Sequence, residues 1–362
     1  MKAAAVYPEK KTLGVVTDFP EPQLDSPTAV KLRILSVGVC GTDREIASFL
    51  YGTAPEGSDY LVLGHESVGE VLEAGPEVEH FKPGDIVIPM VRHPCAHADC
   101  VACRAGRSDF CYTGDYRERG IMKMHGFMTE RVVDEVRYMN AVPAAIRDVA
   151  VLVEPLTIAE KALLQTLRVQ SRLPWGLTSP RRAVVLGAGP VGLLGAMALR
   201  HHGFEVTVYS REQPTGGAAA IVRVIGAKYV CSQEKTVEQM AADVGRIDLV
   251  YEATGVSQLA FHVLQVLGTD GIFILTGVPG HRGPVPFDTD AAMRNLVLKN
   301  QCVLGTVNAG KDAFEAAIAD LTAFYAKWPA AVNGLITARF PLEQFAVPIL
   351  HPQGIKNIVR VT

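Results

Sequence analysis

Cys95, Cys100, Cys103 and Cys111 stand in the spacing C-x4-C-x2-C-x7-C. Four thiolates so close along a chain can close a tetrahedral shell around zinc and leave no position open, the pattern of a structural ion. In a reducing compartment such clustering favours metal ligation over disulfides, and the odd total of seven cysteines points the same way. His93 and His97 lie among them and could substitute as ligands, although a loop histidine is more often simply solvated. A second set is less complete: Cys40 in CGTDRE and His65 in GHE each follow an apolar run and offer a thiolate and an imidazole near carboxylates. Read locally, Cys40 could equally be a small buried hydrophobe and His65 a satisfied core histidine.

Gly187, Gly189 and Gly192 form G-x-G-x-x-G, with Pro190 and Val191 between the second and third glycines, where an apolar strand meets a helix. The first glycine makes the turn, the second lets backbone approach a pyrophosphate, and the third allows the helix to pack on the strand. Pro190 fits the first helical turn, whose other amides are free for phosphate oxygens. The following strand, FEVTVY, ends in Ser210 and Arg211 where an NAD-binding chain would place an acidic residue. A hydroxyl and a guanidinium suit a 2′-phosphate, so NADP is favoured and NAD remains usable. The alternative is that Arg211 is a solvated surface residue and Glu212 takes the ribose.

These residues need elements to hold them. The chain has 362 residues, room for two or three domains. Residues up to about Val142 show short alternating or apolar runs broken by turns, as in AVKLRILSVGVC and GDIVIPM. A helical pattern follows from about Asp148 to Val169, around Pro155, and leads to a linker, LPWGLTSP. After Arg182 strands and helices alternate, through AVVLGAG, FEVTVYS, IDLVYEA, GIFILTG and CVLGTV. That rhythm predicts an α/β doubly wound parallel sheet, a Rossmann nucleotide-binding domain, over 175–307, after a β-rich catalytic domain over 1–174 whose cysteine lobe spans about 90–115. Residues 308–362 should return to the first domain. A net charge of −3 gives no basic field for nucleic acid, and the uncharged apolar stretch Ala183–Leu199 is too short and glycine-rich for a membrane span. With too short an apolar run near the start for a signal-peptide core, a cytoplasmic location is expected.

The segment GHESVGEVLEAGPEV carries, at Gly64, His65, Glu66, Gly69, Gly75 and Val78, the signature of the zinc-containing medium-chain alcohol dehydrogenases. CGTD, the four-cysteine lobe and GAGPVG follow in that family's order, so the chain resembles it over essentially its whole length. Within it, CGTDRE, YLVLGHE, KMHGFM, LVEPLTIAEKA and GTVNAGK resemble the archaeal-type glucose dehydrogenases.

The resemblance implies a GroES-like first domain and two zinc ions per chain. The catalytic ion would be held by Cys40, His65 and Glu154, with Glu66 as an alternate ligand and the fourth position left for water or substrate. Asp43 matches the carboxylate that orients the ligating histidine, Thr42 the hydroxyl that bonds the reacting oxygen, and Glu45 stands where alcohol dehydrogenases end a proton relay with histidine. Thr254, Gly277 and Asn308 would join the glycine loop in holding the cofactor. Glu118, Glu154 and Asn308 match sugar-binding positions and should converge beside the zinc, whereas two further polar positions are here Val91 and Ile158. The implied reaction is transfer of hydride from C1 of an aldose, glucose or also galactose, to NADP, giving the lactone, in a dimer or tetramer that pairs through CVLGTV. A polyol or secondary-alcohol dehydrogenase on the same scaffold is the nearest rival. A nucleotide-binding protein without catalysis and a zinc-ribbon nucleic-acid module are more distant ones.

Overall fold

The computed structural model describes residues 1–176, 181–280 and 283–362, so the last four residues of the LPWGLTSP linker lie outside the described residues. Contacts divide the chain into two units. The first comprises Met1–Glu154, Asn308–Tyr325 and Ile336–Thr362, and the second Pro155–Val307 and Ala326–Leu335. The division falls at Glu154, inside the helix Val153–Gln170, rather than at residue 174, and 326–335 go with the second unit. The start of that helix also differs from the periodic reading. Residues Ala144–Leu152 form a 3-10 run, and the α-helix begins at Val153. Pro155 has no amide hydrogen, so it is tolerated in the first turn and disfavoured further in.

In the first unit the strand Ala29–Gly38 is the centre of the larger sheet. Glu66–Ala74 pairs with one side of it, and Lys356–Arg360 and Arg131–Glu135 pair with it on the other side, all antiparallel. Lys356–Arg360 in turn pairs parallel with Ile336–Pro341. The end of the chain thus completes the sheet begun near its start. Val30, Leu32, Ile34 and Val37 are fully buried on the central strand and pack with Leu61, Leu63, Phe127 and Met128. This core fixes the backbone from which Cys40 and His65 project, since each residue lies just beyond or just before one of its strands.

The second unit is built on a six-stranded sheet, parallel throughout. Its order is Lys228–Cys231, Phe204–Ser210, Arg181–Leu186, Leu249–Glu252, Ile272–Leu275 and Cys302–Gly305. Chain order reverses between Arg181–Leu186 and Leu249–Glu252, which makes their carboxyl ends the switch point where a ligand binds in sheets of this kind. Val184, Val185, Leu186 and Val250 are fully buried, as strands covered on both faces require.

Candidate active site

The four lobe cysteines come together. One Sγ from each lies within 4.8 Å of the others, with Cys95 and Cys103 3.7 Å apart and Cys100 and Cys111 3.9 Å apart. A zinc tetrahedron with Zn–S bonds of about 2.3 Å has edges of about 3.8 Å, so the donor set fits the ion. All seven cysteines are free thiols. The geometry is local. The short helix Val101–Arg104 begins just after Cys100 and carries Cys103, and the turn Ser108–Phe110 delivers Cys111. Burial pushes the Cys103 thiol up to about 12, while Cys111, against its burial, is held at about 6 by hydrogen bonds from Thr113 and by the neighbouring thiols. Neither nearby histidine joins the set: exposed His97 pairs with Asp115 at 3.2 Å, and buried His93 lies 3.1 Å from Asp134 with its ring against Tyr138.

The second constellation is also assembled. Cys40, His65 and Glu66 place their donor atoms within 4.8 Å of one another, and Glu154 stands outside that grouping. Cys40 stands at the start of the helix Gly41–Ala47, and its amide donates to Asp43 Oδ2 at 2.8 Å. The other Asp43 oxygen lies 3.6 Å from His65 Nδ1, and neither atom has a hydrogen-bond partner among the described residues. Facing Nδ1 toward the carboxylate turns Nε2 toward a metal. Against burial, Asp43 and Cys40 raise the His65 imidazole well above its ordinary value. Thr42 Oγ1 lies 3.9 Å from Cys40 Sγ.

Glu154 sits in the first turn of the helix Val153–Gln170. Burial pushes its carboxyl up to about 7, with His65 opposing and Glu66 adding to the effect. Three carboxyl groups, a thiol and an imidazole therefore share a poorly solvated space, a donor set and a charge suited to a divalent cation. One cation in the protein answers part of that charge. Lys356 Nζ, itself buried, donates to Glu66 Oε1 at 2.7 Å, to Oε2 at 2.5 Å and to the Val39 carbonyl at 3.2 Å.

Glu118 and Asn308 meet. Asn308 Nδ2 donates to Glu118 Oε1 at 2.7 Å, and Asn308 Oδ1 accepts from the amide of Ala309 at 2.8 Å. The chain just after Glu118 meets the segment that leads to His65. A Cβ on Gly120 would lie 2.5 Å from the Gly64 carbonyl oxygen, so the turn after Glu118 packs on the peptide preceding His65. Val91 is buried and apolar. Ile158 belongs to the other unit.

In the second unit Gly187 has φ +100°, a conformation that favours glycine, and a Cβ there would meet Thr254 at 2.7 Å. A Cβ on Gly192 would meet the Gly187 carbonyl oxygen at 2.2 Å, whereas nothing lies within 4 Å of one on Gly189. The loop is thus tight at its first and third glycines and open at the second, where phosphate must approach. The helix Pro190–His201 begins with Gly189 as its cap, and Val191 follows Pro190 in its first turn. Ser210 ends the strand Phe204–Ser210, and exposed Arg211 follows with no carboxylate partner among the described residues. The Glu212 carbonyl accepts from Tyr229 Oη at 2.8 Å.

Two residues at these sites escaped the sequence reading. Lys356 is the first. The second is Glu252, buried at the end of the strand Leu249–Glu252, whose Oε1 accepts from the Thr254 amide and hydroxyl, both at 2.6 Å, and from the Gly255 amide at 2.9 Å. Its Oε2 accepts from the Gly277 amide at 3.2 Å. One carboxylate thereby ties together the loops that carry Thr254 and Gly277. The signal was a lone acid closing an apolar strand, and nothing local says that its donors come from two loops.

Comparison with known proteins identifies the family. Residues 26–144 match the alcohol dehydrogenase GroES-like domain, and residues 147–360 match the glucose dehydrogenase C-terminus. Glucose 1-dehydrogenase of Methanocella arvoryzae is 40% identical over 95% of this chain and 94% of its own length, and that of Thermoproteus tenax is 39% identical over the same shares. The structure of Haloferax mediterranei glucose dehydrogenase in complex with NADP, Zn and gluconolactone covers 100% of this chain and 99% of its own at a TM-score of 0.89 and 32% identity. With matches of this length and identity, the chain belongs to the glucose dehydrogenase family, with the GroES-like domain of the alcohol dehydrogenases at its N-terminal side.

Proposed function

We propose that the protein is a zinc-dependent dehydrogenase that oxidises an aldose, glucose above all, at its C1 hydroxyl and delivers the hydride to NADP, releasing the lactone. The observation that carries this reading is the Glu118–Asn308 hydrogen bond, on a turn whose Gly120 packs against the Gly64 peptide that precedes His65 of the Cys40–His65–Glu66 trio. A simple alcohol has no use for such polar groups, whereas a sugar presents several hydroxyls to them. The glucose 1-dehydrogenase relatives and the lactone-bound Haloferax protein favour the same substrate class.

When bound, zinc supplies Lewis acidity at the reacting hydroxyl and NADP supplies the hydride acceptor. Cys40 and His65 hold the metal, with Glu66 and Glu154 as the carboxylates that can complete its ligands, and Asp43 keeps the His65 ring in ligating orientation. Thr42 accepts the substrate's hydroxyl proton as it passes its own proton on by way of the cofactor ribose, and Glu45 on the same helix is the exit toward solvent. Gly187, Gly189 and Gly192 open the helix N-terminus of Pro190–His201 to the pyrophosphate, while Ser210 and Arg211 receive the 2′-phosphate. The cysteine lobe carries a second, closed zinc. The strand Cys302–Gly305 at the sheet edge, with exposed Val303 nearby, suits pairing across a two-fold axis in a dimer or tetramer. Seven free cysteines suit the reducing cytoplasm. Among the described residues no helix is long and apolar enough to cross a membrane.

The test is NADP reduction measured across glucose, galactose, polyols and secondary alcohols. Glucose and at least one epimer are expected to react, because two positions that carry polar sugar contacts in the family are Val91 and Ile158 in this sequence. Reaction with polyols or secondary alcohols alone would transfer the assignment to that class. For the cofactor, Arg211→Ala is expected to weaken NADP by about ten- to a hundredfold and leave NAD unchanged, the range for one charge-assisted contact to phosphate.

A further inference from the structure

Arg92 has no role in the family signature or the ligand sets above, yet it lies directly opposite Glu118 where the strands Arg92–His93 and Arg117–Arg119 pair. Its Nε donates to Glu118 Oε1 at 2.9 Å, and both side chains are buried, 6% and 4% exposed. The guanidinium lies over the Tyr116 ring at 3.8 Å, which limits its freedom further. The backbone is held as well, since the Arg92 carbonyl accepts from Ser108 Oγ at 3.1 Å.

Glu118 Oε1 is therefore taken twice, by Arg92 from its own sheet and by Asn308 from a segment 190 residues away. Among the described residues no donor reaches Oε2, and it is not among the sealed polar atoms without a partner. A carboxylate with one oxygen clamped by two donors is restrained from rotating, so its second oxygen is a fixed acceptor that keeps a small accessible surface. We infer that Arg92 is a positioning residue for sugar recognition: it holds the Glu118 carboxylate so that Oε2 accepts a hydroxyl of the substrate. This rests on the reading of Glu118 as a sugar contact. Asn308, with one amide proton on Glu118 and its carbonyl on its own backbone, acts partly through the same clamp.

A double-mutant comparison tests it, with kcat and KM for glucose and the NADPH dissociation constant, read by cofactor fluorescence, as readouts. Arg92→Met is expected to raise KM and lower kcat/KM by roughly ten- to a hundredfold, the range for losing a hydrogen bond to a charged group. NADPH binding should shift far less than KM for glucose, since Arg92 itself bonds Glu118 and not Asn308. In a Glu118→Gln background the same Arg92→Met change should lower kcat/KM by less than about twofold, because the group it positions is already altered. The same fold-loss in both backgrounds would overturn the inference and leave Arg92 as a packing residue. No loss from Arg92→Met alone would overturn it too. If Arg92→Met does not fold, the double variant compared with Glu118→Gln decides, because it leaves no buried carboxylate without its counter-charge; a further loss above about tenfold sinks the proposal. If Glu118→Gln itself leaves glucose oxidation unchanged, Glu118 is no sugar contact, and the reading and the inference fall together.

Discussion

The two metal constellations solve opposite problems with the same element of chemistry, a cysteine thiol. The lobe gathers four like donors from one loop of the chain, and the sulfurs are their own surroundings. The Cys40 site gathers unlike donors from separate strands and surrounds them with charges of both signs, from Asp43, Glu154 and Lys356. A closed shell of thiolates binds strongly and has nothing left for substrate, which suits a brace. A mixed shell backed by carboxylates and an ammonium leaves room and can be tuned, which suits catalysis.

Breaking the two sites should therefore separate turnover from stability. His65→Ala is expected to give the largest effect on activity, a fall in kcat beyond about a hundredfold, the upper range already seen for losing a partner outside the ligand shell. Zinc content should drop from two to one and the fold should persist, with a lower unfolding midpoint because buried Asp43 loses the imidazole it faces. A variant that keeps both zinc ions would remove His65 from the ligand set.

Lys356→Met should be the most destabilising single change at the open site. It strands the Glu66 carboxylate in a buried position, which costs about 3–5 kcal/mol when one partner of a buried pair is removed. Lys356→Arg should recover most of that loss, and thermal or urea unfolding measures both. A Lys356→Met protein as stable as the parent would mean that the ion pair contributes nothing net.

Cys103→Ser gives the converse of the histidine variant. It should release one zinc and lower the unfolding midpoint by on the order of 5–10 °C while turnover per folded molecule persists at low temperature. Unchanged zinc content and midpoint would dismiss the structural ion.

The smallest effect expected is on discrimination. Glu118→Gln and Asn308→Ala should each lower kcat/KM for aldoses by about ten- to a hundredfold and leave any oxidation of small alcohols nearly intact. Equal losses on sugars and simple alcohols would instead place both residues in the support of the metal site.

What could be read without coordinates follows how far apart the partners lie along the chain. The lobe cysteines are neighbours, so spacing alone announces them, and the glycine loop is likewise complete within one turn. The six parallel strands show in the alternation of apolar runs because each is covered on both faces. Cys40 and His65 are different, since composition leaves each as a plausible core residue and family resemblance supplied their role.

Tertiary structure alone brought the Glu66 carboxylate within 4.8 Å of Cys40 and His65, and it supplied the partners no local pattern contains. Lys356 reaches Glu66 across 290 residues of chain, and Asn308 reaches Glu118 across 190. Glu252 draws its donors from two loops that meet only because their strands are neighbours in the sheet. The physical reason is the same in each case. Ligand spacing and backbone turns are short-range properties that a sequence states directly. A buried charge is tolerable only beside a partner that the packed fold brings to it, and that partner is specified by the whole of the packing.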